Sequence, residues 1–148
     1  MYILEHSKLV GDVSVGNFKN CIKLSSVDFS SGMNGNNTIG VNKRDIGSLQ
    51  FSSISVSKIH CSASYLILQQ ALIGSGTDCK IHFLDSNNRV YLSLELKNTL
   101  INNFEFSAHN FEPVEKFYLT FTYVTFRSTP KDKTPCGASF DLMKGSCL

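Results

Sequence analysis

The chain has 148 residues, the size of one domain on the usual length scale, and a chain of that length buries roughly 68–70% of its unfolded surface without disulfide staples. Its formal charge of +2 comes from 14 Lys and Arg against 12 Asp and Glu; with the basic residues scattered, this excludes a general binder of nucleic acid or of anionic membrane. Eleven phenylalanines and five tyrosines, with no tryptophan, tilt the composition towards strand.

The opening residues, Met1-Tyr2-Ile3-Leu4-Glu5-His6, show neither a basic leader nor a long apolar run, so a cytoplasmic origin without a signal peptide is expected. No apolar stretch reaches the roughly 18 residues of a membrane span, and no membrane insertion is expected. Ile22 and Leu24 alternate with Lys23 and Ser25, the period of a strand. From Ser30 to Ser48 the chain becomes irregular, with Gly32, Gly35, Gly40 and Gly47 among several asparagines. That stretch reads as a long loop, and structureless loops of such length inside a compact domain are usually functional. Its Ile39, Val41, Lys43, Arg44, Asp45 and Ile46 combine apolar contact with charge pairing, which suits an arm that touches a neighbouring subunit as well as a plain surface excursion.

Ile54 and Val56 then alternate with Ser53, Ser55 and Ser57. Ser62–Ile73 is the one helical segment. Tyr65, Leu68 and Leu72 recur at helical spacing, Ser62 or Ser64 can cap the start, and Gly74 and Gly76 can supply a left-handed ending. The spacing predicts Leu68 and Leu72 buried on a sheet. The helix is apolar over much of its circumference, so a second contact with another subunit is also expected. Beyond it, Cys79, Ile81 and Phe83 alternate with Lys80 and His82, and Val90, Leu92, Leu94 and Leu96 alternate with Tyr91, Ser93, Glu95 and Lys97. Asp85-Ser86-Asn87-Asn88 between them reads as a hairpin turn. Phe117–Arg127 reads as a last long strand with bulky residues on both faces. The order implies a mainly β fold, a β-barrel or two-sheet sandwich with one α-helix on its side and a long extended loop.

Little in the sequence suggests chemistry. His60-Cys61 is the one adjacent base–thiol pair, but successive strand residues point to opposite faces, so a strand-end His beside a partly buried Cys is the better reading. The histidines His6, His60, His82 and His109 lack metal-ligand spacing, and the five cysteines are odd in number and dispersed. They read as reduced thiols that mostly fill the core. Gly74-Ser75-Gly76 follows the helix, whereas a phosphate-cradling turn precedes one. No catalytic residue, metal or cofactor is expected.

In order along the chain, several segments resemble the haemolysin-coregulated protein family of type VI secretion. Leu9-Val10-Gly11-Asp12 is similar to the glycine-plus-acid turn closing its first strand, and Cys21–Phe29 to its second strand. The loop follows, then Ile54–Lys58 leads into a lone helix with a glycine stop. Cys79–Phe106 resembles the next hairpin, and Ser139-Phe140-Asp141-Leu142-Met143-Lys144 the closing aromatic–acid–aliphatic motif. Ser30 stands where a glycine is common, and Phe140 where tryptophan is.

The resemblance covers residues 1–148 as one tube domain. It implies a homohexameric ring that stacks into a tube, is driven out by a contractile sheath behind a spike, and can hold effector proteins in its lumen. Phage tail-tube proteins share the pattern. A monomeric ligand-binding β-sandwich is the alternative from another class, and an enzyme the third. On this reading the subunit or ring contact includes Gly32, Asn36, Ile39, Val41, Lys43, Arg44, Asp45 and Ile46.

Overall fold

A computed structural model describes residues 1–29, 31–34, 48–51, 53–142 and 146–147. The strands are β1 (Tyr2–His6), β2 (Val13–Val15), β3 (Phe18–Leu24), β4 (Ser26–Asp28), β5 (Ser31–Asn34), β6 (Ser48–Phe51) and β7 (Ile54–Ile59). Helix α1 (Ser64–Ile73) follows, then β8 (Thr77–Leu84), β9 (Val90–His109), β10 (Glu112–Thr120), β11 (Tyr123–Ser128), β12 (Cys136–Asp141) and β13 (Ser146–Cys147). Among the described residues all pairings are antiparallel. Ladders join β2 to β3, β3 to β1, β1 to β8, β8 to β9, and β9 to both β10 and β11.

The 20-residue β9 is the spine. Its first half pairs with β8 and β11, its second half with β10. The predicted last strand is interrupted at Phe121 and Thr122, yet the register on β9 is the same on both sides of this break; the shift in β10 lies earlier, between Lys116 and Tyr118. Thr120 lies opposite Leu100, Tyr123 lies opposite Lys97, and the Thr122 N–H bonds the Lys97 carbonyl across the break. On the far side of β10 lies β7, and β7 also pairs with β4. Strands β3 and β4 are separated only by Ser25, where the chain turns from its partner β1 to its partner β7. The two faces share β9, but at this corner no ladder joins β3 to β7, so the sheet wraps the core and is not closed into a barrel.

Strand parity builds the core. Leu4, Ile22, Ile54, Val56, Ile81, Leu94, Leu96, Phe117 and Leu119 point inward and are almost wholly buried. Phe140 of the closing motif joins them. A smaller second core of Ile3, Cys21 and Leu84 lies on the outer face, beneath Val13, Val15 and Phe18 of the β2–β3 hairpin. Phe18 of this hairpin packs on His82, with ring centroids 4.4 Å apart, and so covers a residue on the expected wet face; Ser93, opposite His82 in the β8–β9 ladder, is buried as well. Gly11 begins the crossing into that hairpin. Its N–H bonds the Asn20 carbonyl at 2.9 Å, and a Cβ there would run into the Cys21 carbonyl.

The turn Asp85–Asn88 forms as expected. Asp85 Oδ1 accepts the Asn87 and Arg89 N–H groups, each at 2.9 Å, and Asn88 takes the left-handed conformation. The Arg89 backbone bond comes first among the causes that hold the Asp85 carboxyl below its usual range. The Ser30–Ser48 segment is bracketed by a ladder rather than being a bare loop: β5 and β6 pair from Ser31–Phe51 to Asn34–Ser48 as a separate two-stranded sheet.

The helix departs from expectation in three ways. Ala63 is the N-cap and no side chain caps it; Ser64 is the first helical residue, with its hydroxyl engaged elsewhere. Gly74 ends the helix in extended conformation, not left-handed, and is needed because a Cβ would strike the Gln70 carbonyl. Leu68 and Leu72 face outward, 43% and 75% exposed, while Ala63 and Ile67 are at 0%. The helix has two apolar stripes, and the one with the smaller residues lets it lie close on β9.

Candidate assembly surface

The helix is anchored by a buried ionic cluster. On β7 the inward parity that buries Ile54 and Val56 also buries Lys58; on β10 the parity of Phe117 and Leu119 buries Glu115. These two residues are register partners. The Lys58 ammonium donates to Glu115 Oε2 at 2.7 Å, to Ser64 Oγ at 3.2 Å and to the Ile59 carbonyl at 2.9 Å, so its three protons are all used. Ser64 Oγ donates to Glu115 Oε2 at 2.8 Å and accepts the Cys61 N–H at 3.0 Å. His60 Nδ1 lies 2.8 Å from Glu115 Oε1. Burial pushes the Glu115 carboxyl up, but the bonds from Lys58, Ser64 and His60 together outweigh it and hold it below its ordinary value. One strand end, one helix start and one facing strand are thereby locked together.

This cluster was missed in the sequence. The signal was there: continuing the Ile54–Val56 alternation by one step puts Lys58 on the dry face and Ile59 on the wet one. The cluster is closed to solvent except at His60, so its role is to position α1. Cys61, beside His60, is half-buried against the core, as the strand-end reading expected.

With its inner stripe locked down, α1 offers Tyr65, Leu68, Leu72 and Ile73 to solvent, with Tyr65, Leu72 and Ile73 each at least 70% exposed. No charged residue interrupts Ser64–Ile73. A second exposed apolar group lies at the β9–β10 end: Phe106, Phe111, and the register pair Ile59–Val114. Of the residues expected at a subunit contact, Gly32 lies on β5, while Asn36, Ile39, Val41, Lys43, Arg44, Asp45 and Ile46 lie outside the described residues.

An open cleft of about 420 Å³ runs along the end of β1, β8 and β9, lined by Glu5, His6, Asp78, Cys79, Lys80 and Glu95 among others. It contains no poised nucleophile. Burial, aided by Asp78 and opposed by a hydrogen bond to Thr99, pushes the Cys79 thiol up to about 12, and a protonated buried thiol is inert. Burial likewise raises the Cys21 thiol, with Glu5 adding to it. Cys136, unlike these two, is exposed rather than part of the core. Among the described residues, no group of three or more His, Cys, Asp or Glu is placed to hold a metal, and no helix is long and apolar enough to cross a membrane.

A family profile described as "Type VI secretion system effector, Hcp" matches residues 3–127. The chain belongs to the Hcp family. It is thus a protein of the type VI secretion system, of the secreted tube-subunit kind. Solved Hcp-like structures share its fold at low sequence identity. One described as a type six secretion system protein is 13% identical, with a TM-score of 0.89, and the match covers 99% of this chain and 98% of that one. Hcp1 from Salmonella typhimurium is 12% identical with a TM-score of 0.83, covering 99% and 97%. A type VI secretion system effector from Yersinia pestis is 15% identical with a TM-score of 0.79, covering 95% and 99%. No curated protein matches the sequence.

Proposed function

We propose that this protein is a structural subunit that assembles into hexameric rings, which stack into the tube of the secretion machine and can hold effector proteins in their lumen. The observation that carries this reading is the outward apolar stripe of α1 on a chain of the Hcp family. A ring needs two different patches per subunit, each docking on a neighbour, and Leu72 and Ile73 have no use in an isolated subunit. Sheath and spike proteins are the further partners. The protein performs no catalysis and needs no cofactor, in keeping with its closed ionic cluster and inert buried thiols.

The β5–β6 pair supports a second contact. An isolated two-stranded sheet is marginal in water, and ordering backbone costs roughly 1–2 kcal/mol per residue. A neighbour that buries Ile39, Val41 and Ile46 offsets that cost, with Gly32 and Asn36 allowing close approach and Lys43, Arg44 and Asp45 setting register at the rim.

The test is light scattering coupled to gel filtration, followed by negative-stain imaging. The protein should run near six times its 16.4 kDa mass and show annular particles. A variant with residues 35–47 replaced by a Gly-Ser bridge should keep its fold and lose stacking, or the ring too. A strictly monomeric protein at high micromolar concentration would falsify the ring and favour a ligand-binding sandwich.

A further inference from the structure

Seven described non-glycine residues have positive φ. Five are asparagines, Asn20, Asn88, Asn98, Asn103 and Asn110; one is Asp132; the seventh is Phe111. Asparagine and aspartate tolerate this region because their short polar side chains can bond locally, whereas a bulky residue there is strained. Phe111 is the second residue of the two-residue turn between His109 and Glu112, with φ 54° at Asn110 and 66° at Phe111. A hairpin of this kind favours Asn-Gly. The ring is also fully exposed, at 107%. The subunit therefore bears backbone strain and an exposed aromatic at one point, with no packing in return. Such strain persists where it serves a contact.

We infer that Phe111 is a docking knob, inserted against the outer stripe of α1 on a second copy of this chain. The inference rests on the ring reading and names the contact that makes the ring. Two observations select a second copy as the occupant. The chain itself carries the matching surface, Tyr65, Leu68, Leu72 and Ile73, on a different element, as a head-to-tail contact requires. The charges at the two rims are also complementary. Glu112, the residue directly after the knob, is exposed. The helix is uncharged, and Lys8 stands just past its end with Nζ 2.7 Å from Ser75 Oγ. Aromatic anchors seated in apolar surface with a charged rim are the usual centres of binding energy.

The experiment compares wild type with Phe111→Gly and Leu72→Gln by light scattering and thermal melting, singly and mixed. Phe111→Gly should weaken assembly by about tenfold or more, while its Tm, measured on dilute monomer, stays the same or rises because the turn is relieved. Leu72→Gln should weaken assembly without lowering Tm. Each variant keeps one intact patch, so mixing the two should give heterodimers that do not grow. Wild type that assembles alongside a Phe111→Gly variant that assembles equally well sinks the contact alone. Wild type that never assembles sinks the ring reading and the contact with it. A lower Tm for Phe111→Gly would mean that the ring packs within its own subunit, and a mixture without heterodimers would remove α1 as the acceptor; either result overturns the inference.

Discussion

Lys58 and Glu115 face each other across the β7–β10 ladder with their charged atoms 2.7 Å apart and their side chains 0% and 1% exposed. Breaking a buried ion pair from one side leaves a lone charge out of water, which costs about 3–5 kcal/mol. Lys58→Met should lose stability of that order in urea unfolding of dilute protein. The double variant Lys58→Met with Glu115→Leu should recover most of it, since no charge is left behind. A double variant as unstable as the single would show that the ammonium's bond to Ile59, not the pair, is what matters. Because the folded Glu115 carboxyl is held below its usual 4.5, its contribution is present above that pH and is lost as pH falls through the folded value.

His6 titrates in a different window. Burial, and secondarily Lys8, pushes its imidazole from 6.5 down to about 4. The unfolded chain binds a proton between these values that the folded chain does not. Stability is therefore full above 6.5 and falls as pH drops towards 4. His82, lowered by burial against the opposing pull of Glu5, acts in the same sense, and its ring nitrogens have no hydrogen-bond partner among the described residues. Melting temperatures across pH 4–7 should fall less steeply for His6→Gln combined with His82→Gln than for wild type. Parallel curves would show that neither histidine controls this window.

The two stripes of α1 should respond oppositely to truncation. Ile67 is fully buried and Leu72 is 75% exposed. Ile67→Ala should cost about 2–5 kcal/mol, and Leu72→Ala under about 0.5 kcal/mol in the monomer. Chemical denaturation at low protein concentration separates the cases; similar losses at both positions would contradict the helix orientation.

Gly11→Ala should destabilise the β2–β3 hairpin by roughly 1–3 kcal/mol, as overpacking against backbone does. The added methyl would meet the Cys21 carbonyl, which cannot rotate away. Hydrogen exchange should rise first at Cys21 and Ile22. An unchanged exchange pattern would mean that the crossing is looser than drawn.

Much of this protein is written in period two. The alternations at Cys79–Phe83 and Val90–Lys97 specify which faces are dry, and Asp85–Asn88 specifies the hairpin between them, because turn chemistry and side-chain parity are local properties. The pairing of β10 and β11 along β9 was partly legible as one long strand, although the chain breaks at Phe121 and Thr122 and the β10 register shifts between Lys116 and Tyr118. Tertiary structure decided what local patterns leave degenerate. A helix with apolar residues on all sides has no sequence-level inner face; the close approach to β9 chose Ile67 over Leu68 and Leu72. The partner of Lys58 lies 57 residues away in Glu115, and no short-range pattern pairs them. The outer face of β8 reads as wet until the β2–β3 hairpin folds over Ile3 and Leu84 and sets Phe18 against His82. Each of these depends on which surfaces meet, and that is settled only when distant segments compete for the same buried area.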